Sequence, residues 1–392
     1  MRSKLILGLA TALAVWAAGP VAAQAPAADQ YFRYTVRPGD TLSALARDYL
    51  VSDDYVSIQK LNAVADPRRL PVGSTLLIPQ PLLRIETIAG AITSFRGVAT
   101  IDGQQVEVGT RVRQGQKLET GPNAFVTVTL PGGSAISLPS QSRIHVSRLR
   151  RILLTGSIER RFRLEAGRSR ATVTPIRDPN SDFQVTTPLS VSAVRGTDFR
   201  VALDESGEKA LTEVVGGAVE VGKDAQDEEG VQVPRGYGVV ATPAGVEQPV
   251  ALLPPPGLDA VAQTPTGGVL ITARPVDSAR KYRFQLATDI GFQAVFADST
   301  ADAPTISFEN LASTQFFIRL SAIAENGLEG LPATYALGQR VGTLDLPWSR
   351  VDEERHAHVG AAADRAPSPT RASMSGNAQP ISADGTASTP LR

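Results

Sequence analysis

Apolar and polar positions alternate along most of this chain, and near its start the period of the alternation changes. FRYTVRP (residues 32–38) alternates with period two and predicts a strand. TLSALARDYL (41–50) sets Leu42, Leu45, Ala46 and Tyr49 at helical spacing, and Tyr55, Ile58 and Leu61, with Val56, give a second apolar helical face. STLLIP (74–79) returns to a strand, so residues 32–80 predict a small βααβ module. Asp40 stands at the N-cap position of the first helix, where a carboxylate can accept from free N–H groups, and Ser52 or Asp53 can cap the second.

From residue 84 to about 250 the pattern becomes short alternating runs, among them RIETIAGAIT, AFVTVTL, SAISLP and SRIHVSRLR. Asp102-Gly103, Gly121-Pro122-Asn123 and Pro131-Gly132-Gly133 separate them as turns, which predicts an all-β domain. Phe125, Val126, Val128, Leu130, Ile136 and Leu138 are expected on one buried face, with Thr and Ser outside. TTPLSVSAVRGTDFRV (186–201) reads as two strands broken at Arg195-Gly196-Thr197: Gly196 supplies a backbone geometry other residues resist, and Phe199 and Val201 enter the core. A Pro-rich linker is expected over 251–265. A small β-sandwich follows over 266–345, with Tyr282, Phe284 and Leu286 on one buried face. Phe317, Ile318 and Leu320 do not alternate cleanly. From 346 to 392 few large apolar residues remain, and the expectation is a disordered tail. The fold class is therefore multidomain and mainly β.

The first residues add a location. Arg2 and Lys4 precede an apolar run over 5–18, Gly19-Pro20 breaks it, and small residues close it, the layout of a secretory signal peptide over 1–23. Cleavage after Ala25 is a near alternative. An uncleaved anchor is the rival, but the run is short of the roughly 20 apolar residues a span needs. No later segment is apolar enough to span, so the expectation is a soluble periplasmic protein with no transmembrane helix after cleavage. The absence of Cys excludes disulfides and an N-terminal Cys lipid anchor. Lys+Arg and Asp+Glu both number 39, so whole-molecule charge names no polymer partner, and export argues against nucleic acid.

Candidate chemistry is sparse. His145 lies in a strand pattern, as a surface or edge residue, and His356 and His358 lie in the tail without a third ligand, so no metal site is expected. No Ser-His-Asp order, phosphate loop or dinucleotide fingerprint occurs. The chain reads as a non-enzyme with no catalytic residues and no cofactor. Residues 148–170 are rich in Arg. They read either as a solvated face with Glu159 and Glu165 as partners, or as a docking surface for anionic groups.

Two resemblances gather these readings. YTVRPGDTLSALA, IQKLN and LPVGSTLLIP resemble a LysM module, through Tyr34, Val36, Gly39, Asp40, Thr41, Leu42, Leu61, Asn62, Leu70, Gly73, Leu76, Ile78 and Pro79. That resemblance implies binding of peptidoglycan or chitin-like glycan through N-acetylglucosamine, in a groove between two loops. The implied contacts are Gly39, Asp40, Thr41 and Leu42 in one loop, and Ala63, Val64, Ala65 and Asp66 in the other, which runs to Pro67. Helix capping is the alternative role for the Asp40 and Thr41 side chains. The ADPRR stretch (65–69) departs from the more polar or aromatic loop of many strong binders, so one module is expected to bind weakly.

Gly133, Ser134, Ile136, Leu164, Gly167, Phe183, Val185, Thr187, Pro188, Val194, Gly196, Thr197, Phe199 and Val201 resemble the FecR-type domain, the periplasmic part of regulators of iron uptake. Those regulators have a cytoplasmic segment before their membrane helix; only MRSK precedes the apolar run here, and a sigma-regulating role is not expected. YRFQLATD and FFIRLSAIAENGLEG are similar to fibronectin type III-like modules. The implied function is that of an exported envelope protein tethered to peptidoglycan, with the other domains facing envelope or membrane protein partners. The alternative is a periplasmic sensor that signals to a membrane partner through the FecR-type domain.

Overall fold

A computed structural model of the chain describes residues 30–224, 230–309, 311, 315–337 and 348–351. The expected signal peptide over 1–23, His356 and His358 lie outside the described residues. So does the tail, apart from 348–351, which carry strand Trp348–Val351. No described helix is long and apolar enough to cross a membrane.

The N-terminal module has the expected βααβ order: strand Tyr31–Thr35, helices Leu42–Tyr49 and Tyr55–Leu61, and strand Thr75–Pro79, with the two strands antiparallel. Leu42, Leu45 and Ala46 are buried, as their spacing requires. The second helix contributes less than its pattern implies. Ile58 is buried and Tyr55 packs partly, but Val56 and Leu61 are exposed, because a helix of two turns reaches the small core with one face only.

Two ten-stranded sheets build the central domain. One includes Ala89–Arg96, Phe125–Thr129, Ala135–Leu138, Arg168–Thr172, Asp198–Leu203, Ala210–Gly216 and Tyr237–Thr242; the other includes Lys117–Thr120, Arg143–Ile152, Ile158–Ala166, Asp182–Thr186, Val191–Val194 and Ala218–Gly222. Their inner faces enclose one apolar core, in which Phe162, Phe183 and Phe199 contact in series, with centroids 5.5 and 6.3 Å apart.

The signature glycines sit where the chain passes from one sheet to the other. Gly167 separates strands Ile158–Ala166 and Arg168–Thr172, and Gly196 lies between Val191–Val194 and Asp198–Leu203. Both have positive φ (+70° and +127°), and an added Cβ would stand 2.5 Å from the Gln141 carbonyl at the first and 2.8 Å from Pro175 Cα at the second. Thr197 N–H and C=O pair with Val173, and its hydroxyl donates to the Ala218 carbonyl at 2.8 Å, so both its backbone groups and its side chain hold the corner. The RGT break is therefore an architectural corner that sends Phe199 and Val201 into the core. Gly196→Ala is expected to cost about 1–3 kcal/mol through the forced φ and the Pro175 clash, measured as a shift in denaturant midpoint.

The third module packs strands Leu258–Gln263, Val269–Ala273 and Thr305–Phe308 against a sheet of Val295–Ala301, Ala279–Ala287, Phe317–Ala324 and Ala333–Leu337. Its first strand lies inside the Pro-rich stretch 251–265, and Leu252 is buried against Leu211, Val240 and Leu328, so this stretch is packed structure as well as connection. Tyr282, Phe284 and Leu286 line the core, with Ile318 and Leu320 opposite. Phe317 points the other way, onto Phe125, Phe292 and Val295, which explains its broken alternation.

That contact corrects two expectations: Phe125, expected on the buried face of Val126, Val128 and Leu130, turns away from their core into the junction. Thr127, read as outward-facing and polar, is fully buried, because the third module covers this face: the Thr127 hydroxyl donates to the Gln293 carbonyl at 2.9 Å, and Phe125 packs into the junction. Charge completes the seal. Glu329 takes ion pairs from Arg168 (2.6 Å), Arg200 (3.0 Å) and Arg283 (2.9 Å), and accepts from the Ser321 hydroxyl; Arg200 also pairs with Glu213, and Arg283 with Asp298.

The N-terminal module is joined as firmly. Strand Ile85–Thr87 pairs with the end of Arg143–Ile152, and the hairpin tip carries Ile152 and Leu154 into the module's core beside Leu50 and Leu83. Leu153 N–H donates to Arg84 C=O at 3.1 Å, and Arg84 N–H to Tyr49 C=O at 2.8 Å.

Candidate functional site

The loop pair of the N-terminal module is built from backbone as much as from side chains. In the first loop, Asp40 Oδ2 accepts from Tyr34 Oη and from Arg37 N–H, both at 2.7 Å, and Asp40 N–H donates to Arg37 C=O. Asp40 thus ties a turn to the first strand and is not the helix cap expected of it. Burial, then the hydrogen bond and charge of Asp40, push the Tyr34 phenol up to about 12. The cap is Thr41, whose Oγ1 accepts from Ala44 N–H at 3.2 Å. Asp54, one residue beyond the expected pair, caps the second helix through Ser57 N–H and Oγ. Gly39 has φ +89° and open space around it, so it serves the turn rather than the packing.

In the second loop, Ala63 has φ +48°, and Val64 N–H donates to Gln59 C=O while Gln59 Nε2 donates back to Val64 C=O, both at 3.0 Å. Asn62 holds the loop's start: its side chain donates to Ile58 and Leu77 carbonyls and accepts from Leu77 N–H. Asp66 Oδ1 accepts from Arg68 N–H, which closes the loop's far end.

One hydrogen bond brings the two loops together: Leu42 N–H donates to Pro67 C=O at 2.9 Å. The eight residues named from the sequence therefore lie on two adjoining loops, with different uses. The Leu42 side chain is in the core and Val64 packs partly against it. Ala63, Ala65 and Asp66 are exposed, and the N–H groups of Thr41, Ala65 and Asp66 have no partner among the described residues. The loops thus offer backbone donors beside small side chains, an arrangement that suits a neutral amide-bearing ligand.

The Arg-rich stretch is partitioned by its fold. Glu159 is buried and takes Arg148 (3.3 Å), Arg150 and Arg161 (3.6 Å), so it is the centre of a cluster and not a solvated partner; Arg161 also pairs with Asp182 at 2.7 Å. Glu165 faces Lys117 at 3.6 Å. His145 is half-buried on an interior strand, opposite Arg163 and Lys117, and is not an edge residue. Arg148 and Arg150, with Tyr31, Pro79, Gln80 and Pro81 from the N-terminal module, line a cleft of about 510 Å³ that the sequence reading did not anticipate. The run of Arg at 148, 150 and 151 was its one signal.

Comparison with known proteins matches two parts of the chain. The LysM domain model matches residues 34–79, and the FecR protein model matches residues 116–220. No curated protein matches the chain significantly. Among solved structures, two of "a putative anti-sigma factor" from Parabacteroides distasonis are 20% and 18% identical, with TM-scores of 0.28; each match covers 34% of this chain and 59% of the other. The chain thus spans less than two thirds of the length of those structures. It carries a LysM domain, a module type associated with glycan binding, followed by a FecR domain, a type associated with signalling and regulation.

Proposed function

We propose that this chain is an exported, non-enzymatic envelope protein of the periplasm that binds peptidoglycan through N-acetylglucosamine at the two LysM loops. The observation that carries this reading is the Leu42–Pro67 hydrogen bond, which sets two loops with unused backbone donors side by side. An acetamido group needs a donor for its carbonyl, an acceptor for its N–H and an apolar contact for its methyl. Backbone of 39–42 and 63–67 supplies the first two, and Val64 and Ala65 supply the third. With few contacts per sugar, affinity for one module is weak and gains from the repeating polymer. The FecR domain and the C-terminal sandwich, which we read as fibronectin type III-like, present surfaces to other envelope components.

Side chains that only cap or tie a turn make poor probes of such a site. Ala65→Leu adds bulk on the exposed loop without touching the core. We expect it to weaken binding of a chitin oligosaccharide at least tenfold, about 1.4 kcal/mol, with thermal stability unchanged. Equal affinity of the two proteins would remove the loops from the site. The FecR match supports a second reading, a sensor that signals to a membrane partner. In that case residues 84–250 should capture one membrane protein specifically.

A further inference from the structure

We propose that Arg160, which the fold turns inward from the Arg-rich stretch 148–170, holds a small monovalent anion of the halide class between the two sheets of the FecR domain. Arg148, Arg150 and Arg161 of the same stretch pair with carboxylates, whereas Arg160 makes no ion pair among the described residues.

Alternation along strand Ile158–Ala166 puts Arg160 on the face of Phe162 and Leu164, inside the sandwich. Its cross-strand neighbours are Leu149 on one side and Phe183 on the other, both fully buried. Arg160 itself is 6% exposed. The side chain reaches the opposite sheet: Nη2 donates to the Pro131 carbonyl at 3.0 Å, in the turn between strands Phe125–Thr129 and Ala135–Leu138. Gly132 of that turn, at φ +91°, lies against the guanidinium, and an added Cβ there would stand 3.2 Å from Nη2. Nε is buried and its N–H has no partner; the Gly132 N–H has none either among the described residues.

Charge decides the ligand class. A guanidinium cannot shed its proton to escape burial. Burial pulls its pKa down, and the charge of Asp182 pulls the other way. The Asp182 carboxylate is already engaged: it accepts from Arg161 Nε at 2.7 Å and from the main-chain N–H of Arg160 at 3.3 Å. The Pro131 carbonyl is thus the one acceptor the Arg160 guanidinium meets among the described residues. A buried charge facing a single neutral acceptor is strongly disfavoured, and an anion beside Nε restores the balance. Close packing between the sheets favours a single-atom ion over a carboxylate or a phosphate. A halide also accepts N–H groups from several directions, so it can tie the strand of one sheet to the turn of the other.

The test uses the whole protein and two readouts. Thermal unfolding is followed in sodium chloride and in sodium gluconate at the same ionic strength, so that screening is equal. An anion bound by the folded state alone raises the midpoint saturably, by about 2–6 °C at tenfold excess over the dissociation constant. Arg160→Met keeps an apolar stem beside Leu149 and Phe183 and should unfold at the same temperature in both salts. Crystals of wild type soaked in bromide should show an anomalous peak within hydrogen-bonding distance of Arg160 Nε. That second readout decides the matter if the variant fails to fold.

A saturable chloride response that Arg160→Met lacks, with bromide at Nε, supports the site. An equal response in both proteins, no response in wild type, or bromide only elsewhere overturns it and leaves Arg160 as a strut held by the Pro131 carbonyl. A bromide peak at Nε without a chloride response is an adventitious ion only and overturns it too. Stabilisation by acetate that equals chloride's and depends on Arg160 also overturns it, since the site then takes a carboxylate.

Discussion

Glu329→Ala is expected to destabilise the protein by about 3–5 kcal/mol, because it removes the one carboxylate shared by Arg168, Arg200 and Arg283 and leaves the buried Arg200 and Arg283 with Glu213 and Asp298 alone. Glu329 is 2% exposed, and its backbone is held as tightly as its side chain: its N–H donates to Glu213 Oε1 at 3.0 Å, and its carbonyl accepts from Arg200 Nη2. The network joins strand Asp198–Leu203 of the FecR domain to strand Ala279–Ala287 and the turn after Phe317–Ala324 in the sandwich. Its loss should therefore loosen the junction first. Exposure of Phe125 and Phe292 to a hydrophobic dye below the main transition would report that loosening.

The same network sets a pH dependence. Burial alone would raise the Glu329 carboxyl, but Arg200, Arg283 and Arg168 outweigh it and hold it well below its ordinary value of 4.5. A carboxylate depressed in the folded state contributes stability that is present above its unfolded pKa and lost as pH falls through the folded one. Glu213 runs the other way: burial pushes it up, with Arg200 and Arg168 opposing. Its ionised form costs stability at neutral pH, and that cost is relieved as pH falls. Within this network the acid loss therefore belongs to Glu329. Unfolding titrations below pH 4.5 should show a decline in wild type that is shallower in Glu329→Ala; parallel declines would assign it elsewhere.

Ile152→Ala should cost about 2–5 kcal/mol, the range for truncating a fully buried aliphatic side chain. The side chain belongs to the FecR hairpin but sits in the LysM core with Leu50, Leu83 and Leu154. The expected signature is loss of LysM stability together with earlier exchange of the amides in helix Leu42–Tyr49. It also follows that residues 32–80 cut from the chain would expose Leu50, which Leu83, Ile152 and Leu154 cover. An effect confined to the FecR sheets, with helix exchange unchanged, would show that the LysM core closes without the hairpin.

The sequence made the elements legible and left their junctions hidden. Period two and period 3.6 are local signals, so both helices, the flanking strands and the RGT corner could be read directly. Junctions depend on which outward face is later covered, and nothing local marks that. Thr127 alternates as a surface residue and is buried only because residue 293 lies across it. Arg200 and Glu329 are far apart in the chain and look like solvated charges until the fold brings them to 3.0 Å. The LysM loops were legible as a family pattern, yet the roles within them were not: Asp40 and Thr41 are adjacent and both able to cap, and only the φ/ψ of the turn assigns the cap to Thr41. The cleft was invisible because a one-residue register shift, unmarked by Gly or Pro, chooses the face on which Arg148 and Arg150 emerge.

The most direct test of the central claim is sedimentation of the full protein with purified peptidoglycan sacculi, beside Ala65→Leu, across a salt series. The account predicts that wild type sediments, that moderate salt leaves most of it bound because the loop contacts are neutral, and that Ala65→Leu stays in solution at high salt. Equal sedimentation of both proteins, or complete release of wild type by salt, would contradict binding through the LysM loops.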